Sequence, residues 1–327
     1  MTGSALNGGA VTGSAVTGGA LNGGAVTVGT SVHDQVLSVS PGERRALLGR
    51  IADAGIDHVV VADHVSFHGG TGFDGMLGAA AALATEDRLS VLIGVYQLAL
   101  RHPMTVARSL ASLTSLAPGR LTLGVGVGGE DRSEVSNCGV DPATRGRRID
   151  ESLGLLRRLA TGEAVDHAGE FFTIDAGAVL PAQKPEVPIL IGGKSEATLR
   201  RTVEHGDGWL AMFVSARKFT EFVAQIAALA QERGRPVPEQ HGFEVWCGLA
   251  DDASVARELV AEKMQALYKL PFDRFERLCP AGTPAQVADF LRPYVEGGAR
   301  SLTLVPCSPS WQAGVDAVAE VRRLLAG

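Results

Sequence analysis

Beyond its first residues, the chain alternates short apolar runs with longer stretches in which apolar side chains recur every three or four positions. Eight runs stand out: AVTVGTS from Ala25, HVVVAD from His58, LSVLIGVY from Leu89, RLTLGVGV from Arg120, VPILIGG from Val187, GWLAMF from Gly208, FEVWCGL from Phe243 and RSLTLVP from Arg300. They are nearly continuous rather than alternating, as expected of parallel strands covered on both faces. The stretches between them carry helical spacing: Val106, Leu110 and Leu113 share one face, as do Ile149, Leu153 and Leu156, and Phe219, Phe222, Val223 and Ile226. Two helix starts are explicit. Ser40-Pro41-Gly42-Glu43 and Thr283-Pro284-Ala285-Gln286 each place a hydroxyl at the N-cap, proline at the first helical position and Glu or Gln three residues on. Eight strand–helix units predict an α/β fold, a (β/α)8 TIM barrel. The intervals after the fourth and seventh strands are too long for plain units, so insertions are expected there.

The N-terminal segment differs in kind. TGSALNGGAV at 2–11 recurs as TGGALNGGAV at 17–26, and no charged side chain precedes Asp34. Residues 1–24 therefore read as a low-complexity, Gly-rich flexible arm, and 25–327 as a single domain. Glycine and asparagine interrupt every apolar pair of the arm, which argues against a secretory signal. No run of about 18 apolar residues occurs anywhere, so no membrane span is expected. With 327 residues, 45% hydrophobic and 20% charged, the chain can bury a large core. Its net charge of -6 and lack of basic runs point away from nucleic acid and toward a small-molecule partner. The four cysteines, Cys138, Cys247, Cys279 and Cys307, show no metal spacing. Reduced thiols and a cytoplasmic setting are expected, and no metal site.

Gly124, Gly126 and Gly129 spell G-x-G-x-x-G after an apolar run, the spacing of a dinucleotide fingerprint. That fingerprint normally follows the first strand, with an acid closing the second. Here it follows the fourth, and the acids some twenty residues on, Asp150 and Glu151, sit inside an amphipathic helix pattern. It is read as a false match, its glycines serving close approach to a flat ligand instead.

VADHV at 61–65, LRHP at 100–103, GRLTLGVGVGGED at 119–131, PILIGGKSEATLRR at 188–201 and GDGWL at 206–210 resemble, in order and spacing, the bacterial luciferase-like family. The resemblance covers nearly the whole chain after the arm. It implies a reduced flavin-type cofactor at the C-terminal ends of the strands: a reduced 5-deazaflavin (F420), or reduced flavin mononucleotide (FMN) in the alternative reading. It also implies an oxidoreductase that passes hydride to an unsaturated or carbonyl substrate. The alternatives are a two-component monooxygenase supplied by a separate reductase, and a non-catalytic flavin-binding protein.

The same resemblance assigns residues. Asp63 and His64 would lie beside the reacting ring, His64 as proton donor or electrostatic partner. Tyr96 and Gln97 would carry a non-proline cis peptide supporting the ring. Val127 and Gly128 would line the fourth strand end, where many FMN-dependent members carry a basic residue; its absence favours the deazaflavin. Glu130 is a candidate acid near the ring. Gly192, Gly193, Lys194, the N-cap Ser195 and Thr198 offer free N–H groups and a helix N-terminus to a phosphate. A homodimer is expected, with the Ala-rich run Gly78–Ala84 as its small-residue surface.

Overall fold

The computed structural model describes residues 26–32, 35–128 and 131–326. The eight apolar runs form eight parallel strands: β1 (Thr27–Ser31), β2 (His58–Val61), β3 (Ser90–Tyr96), β4 (Leu121–Val125), β5 (Ile189–Gly192), β6 (Gly208–Met212), β7 (His241–Leu249) and β8 (Ala299–Cys307). They pair in the order β6-β5-β4-β3-β2-β1-β8-β7, and β6 also pairs with β7 from Leu210 to Met212, so the sheet closes on itself. Around it stand the helices α1 (Pro41–Asp53), α2 (Gly75–Thr85), α3 (Pro103–Leu116), α4 (Arg145–Ala160), α5 (Glu196–His205), α6 (Ala216–Glu232), α7 (Ala253–Tyr268), α8 (Pro284–Glu296) and α9 (Trp311–Ala326). This is the (β/α)8 barrel that the alternation predicts. The arm at 1–24 lies outside the described residues.

Both capping boxes form. Ser40 Oγ accepts from the Glu43 amide while Glu43 Oε2 accepts from Ser40 N at 2.9 Å, and Thr283 with Gln286 repeats the arrangement. Between β4 and β5 lie a short helix (Arg132–Asn137), α4 and a hairpin of Val165–Ala168 with Thr173–Gly177. Between β7 and β8 lie α7, two short 3-10 turns and α8. One element was not foreseen: after β2 the chain folds into an antiparallel hairpin, His64–Phe67 with Thr71–Phe73. Its signal is Gly69-Gly70 between two short strand-like pieces, a recognisable hairpin turn.

The barrel interior is layered. Near its N-terminal end the neutral imidazole of His58, whose pKa burial lowers to about 4, shares a hydrogen bond with Thr303 Oγ1 at 3.0 Å. Above it Val60, Leu92, Leu190 and Leu210 make an apolar plug. The next layer holds Met212 and Glu244, which the register aligns on adjacent strands. Above this plug, at the C-terminal strand ends, a cavity of about 630 Å³ opens. That volume lies within the range of small-molecule sites.

The Ala-rich run of α2 is split between core and surface: Ala84 is exposed and Ala80 and Ala81 are half-buried. Helical periodicity turns Gly78, Ala79, Ala82 and Leu83 inward, where they are buried, and a Cβ on Gly78 would already touch Val61. Leu77 is the large apolar side chain that this helix leaves exposed.

Candidate active site

The cavity wall is built from strand ends and the hairpin. Ala62 and His64 follow β2, Phe67, Thr71, Gly72 and Phe73 come from the hairpin, Gly94 from β3 and Gly128 from the loop after β4. Met212, Glu244, Trp246, Leu267 and Tyr268 complete the opposite side. The lining is mainly apolar and aromatic, and two glycines expose backbone to it. A Cβ on Gly94 would come within 2.9 Å of Val60, and one on Gly128 within 2.9 Å of Gln97 Oε1. Gly128 also has φ +60°, a conformation that side chains with a Cβ rarely adopt. Such a wall admits a flat ring and fits a flavin-type group.

His64 sits on this wall, half-buried, and its Nδ1 lies 3.2 Å from Glu134 Oε2. Glu134 is itself buried and accepts from two successive backbone amides, Val65 at 2.6 Å and Ser66 at 3.0 Å. Burial works against its charge, but the hydrogen bonds from Ser66, Gln97 and His64 prevail and hold the carboxyl below the ordinary glutamate range. A carboxylate only accepts, so Nδ1 of His64 carries the proton of this pair. Nε2 is then the ring nitrogen left for a ligand. Gln97 supports the pair through the acid: its Nε2 donates to Asp63 O at 3.1 Å, and its side chain also hydrogen-bonds Glu134.

Asp63 and Tyr96 depart from their expected places. The Asp63 carboxylate is 1% exposed, and its oxygens accept from Arg101 at 2.6 and 2.8 Å, from Gly75 N at 3.0 Å and from Gln97 N at 2.9 Å. Burial pushes this carboxyl up, against the pull of Arg101 and the two amides. Asp63 thus ties β2, β3 and α2 together behind the wall, because a bidentate guanidinium leaves it no face for the cavity. Tyr96 is buried in the core with the Arg101 guanidinium 4.5 Å above its ring, and burial raises its phenol pKa. The non-proline cis peptide falls at Gly94–Val95 rather than Tyr96–Gln97, within the stretch where the β3–β4 register shifts.

The other candidates cluster by the fold. Val127 is 40% exposed at the rim beside Gly128. Ser195 caps α5 in a capping box with Thr198, Ser195 Oγ accepting from Thr198 N at 3.2 Å. Gly193 has φ +110°, and a Cβ there would meet Thr198 Oγ1 at 2.7 Å, so this turn requires glycine. The Gly192 Cα side faces Gly126 and Val95, which brings the turn against the β4 loop, while Lys194 is exposed. Glu130 and Gly129 lie outside the described residues. Gly124 of the apparent dinucleotide fingerprint faces the barrel interior, where a Cβ would strike Ile93 O at 2.6 Å.

Sequence reasoning missed Glu134 and Glu244. Nothing local marks Glu134, which becomes a partner of His64 only through the fold. Glu244 did carry a signal, since it is the single acid in the apolar run FEVWCGL, and a lone acid in a buried strand is the informative exception. It is 5% exposed and accepts no hydrogen bond among the described residues, and burial pushes its pKa up to about 7. A raised pKa favours the folded state while the group is protonated. That contribution is present below the ordinary glutamate value and is lost as pH rises through about 7. Glu244→Gln is therefore expected to match the parent near pH 5 and to exceed its stability at pH 8.5 by up to about 3 kcal/mol. Denaturant unfolding at both pH values checks this; an equal difference at the two would show the carboxyl ionised in the fold.

Among known proteins, a family model described as luciferase-like monooxygenase matches residues 22–275. The chain is 30% identical over 217 residues to the F420-dependent hydroxymycolic acid dehydrogenase of Mycobacterium tuberculosis, covering 62% of this chain and 58% of that protein. It is 31% identical over 176 residues to the F420-dependent glucose-6-phosphate dehydrogenase of Nakamurella multipartita, covering 52% of each. The chain spans about half the length of the curated relatives it matches. In fold it is similar to an F420-dependent secondary alcohol dehydrogenase solved with an F420-acetone adduct: TM-score 0.80 at 20% identity, over 93% of this chain and 100% of that one.

Proposed function

The chain belongs to the luciferase-like monooxygenase family, and we propose that this member is an oxidoreductase working with a reduced 5-deazaflavin coenzyme on a carbonyl or unsaturated small molecule. The observation that carries the reading is the His64–Glu134 pair, fixed through Nδ1 at the edge of an apolar cavity with a glycine-lined wall. When bound, the coenzyme supplies a hydride. The chain's own part is to hold it, exclude water and manage a proton. Glu134 orients the imidazole through Nδ1–H and supports its doubly protonated form, in which Nε2 donates a proton to, or stabilises negative charge on, an atom in the cavity. Phe67, Phe73 and Trp246 keep that atom dry.

The turn after β5 supports the binding half of the reading. α5 begins at the C-terminal end of β5, and its positive end with Gly193, Lys194 and Ser195 would hold a phosphate, the Ser195–Thr198 capping contacts giving way so that Thr198 adds its hydroxyl. Ser195→Ala is expected to weaken coenzyme binding by about 1 kcal/mol, and Ser195→Asp far more, because it sets a second negative charge against the phosphate. Equal effects of the two in a fluorescence titration would reduce Ser195 to a helix cap.

Two F420-dependent relatives and the uncharged Val127 favour the deazaflavin over FMN. The test is a parallel titration of the full chain with F420 and with FMN, each then reduced and exposed to air. Tighter F420 binding, by tenfold or more, with no oxygen uptake is the expected result. Protein-dependent incorporation of oxygen into a substrate with reduced FMN, beyond the spontaneous oxidation of that flavin by air, would instead favour a two-component monooxygenase fed by a separate reductase. Binding without any turnover over a broad set of carbonyl compounds would favour a flavin-storing protein.

A further inference from the structure

His64 and Glu134 account for one wall of the cavity, and Glu244 stands on another. Along β7 the residues Gly242, Glu244 and Trp246 share the inward face, and the register aligns Glu244 with Met212 on β6 and Thr303 on β8. Its Oε2 lies 3.4 Å from the place a Cβ on Gly94 would occupy, so the carboxyl reaches the cavity floor beside the exposed β3 backbone. The surrounding strands bring nothing to pair with it. Ala62 on the β2 side, Gly94, Met212 and Thr303 carry no charge, and no lysine or arginine lines the cavity among the described residues. The titratable groups that share the space are His64, already committed to Glu134, together with Glu134 itself and the Tyr268 phenol.

A carboxyl buried without a cation is costly unless it is neutral or a ligand completes it. The apolar lining excludes a strongly hydrated ligand, and a second acid in the same cavity disfavours anions. We propose that Glu244 is the polar anchor for the substrate: it donates a hydrogen bond to the oxygen of an uncharged, otherwise apolar carbonyl compound, and it bars carboxylates and phosphates from the cavity. This rests on the oxidoreductase reading above and names the substrate class for the same site. The protonated acid is the donor. At neutral pH and below, burial keeps a substantial share of Glu244 in that form; above it the carboxylate faces the carbonyl oxygen with an acceptor and repels it.

Calorimetric titration of the full chain tests this with two probes of one hydrocarbon core, 2-adamantanone and 1-adamantanecarboxylate, at pH 6 and pH 8.5. The ketone is expected to bind saturably at pH 6 and at least tenfold more weakly at pH 8.5, with the carboxylate at least tenfold weaker than the ketone at pH 6. Glu244→Gln keeps a donor that does not ionise, so its ketone affinity is expected to agree within twofold at the two pH values. Glu244→Leu has no donor and should bind the ketone at least fivefold more weakly at pH 6. The proposal is overturned by absence of ketone binding at pH 6, by carboxylate binding as tight as the ketone's, or by a pH dependence that persists in Glu244→Gln. F420 titration on the same preparation tests the coenzyme reading separately, so either can fail while the other stands.

Discussion

Arg101→Met is expected to cost about 3 to 5 kcal/mol of folding stability, the range for removing one partner of a buried ion pair. The methionine preserves much of the stem that covers Tyr96, so the loss reports on charge rather than volume. Without the guanidinium, Asp63 keeps the Gly75 and Gln97 amides but stays buried with an uncompensated charge. Urea unfolding measures the loss, and Asp63→Asn combined with Arg101→Met should recover part of it, because the orphaned charge is then gone. A loss under about 1 kcal/mol for Arg101→Met would show that Asp63 folds as the neutral acid and that the pair holds little together.

His64→Ala is expected to lower turnover by about 10²-fold or more while coenzyme affinity changes by less than about tenfold. The imidazole contributes one ring nitrogen to the cavity, whereas the wall that would hold a ring is backbone at Gly94 and Gly128 and hydrocarbon elsewhere. Glu134→Gln makes a useful companion. It keeps the shape but replaces a carboxylate by an amide, so the histidine survives while its orientation and the support for its positive form weaken. A turnover loss shared by both variants, with coenzyme binding retained in both, supports the pair acting together. Affinity falling in step with turnover in His64→Ala would instead make His64 part of the binding surface.

Much of the architecture was legible locally. Continuous apolar runs, helical spacing between them and two capping boxes are properties of neighbouring residues, and each forms as the sequence predicts because its physics is local. The count of eight units then implies closure, since that number of tilted strands brings the first beside the last. The motifs VADHV and IGGKS likewise pointed to strand ends. The roles within them did not follow from spacing. Asp63 and His64 are adjacent in the chain, yet one turns to Arg101 behind the wall and the other to Glu134 at its edge. Which way each points depends on partners 38 and 70 residues away. The choice of acid was decided the same way: Glu134 is placed by the hairpin amides of Val65 and Ser66, while Glu244 becomes unusual only once three neighbouring strands surround it with uncharged groups. Secondary structure and barrel class thus belonged to the sequence by itself, because short-range hydrogen bonding and apolar periodicity determine them. The site was decided by the tertiary structure alone, because a carboxyl's charge, orientation and partner are set by contacts across the barrel.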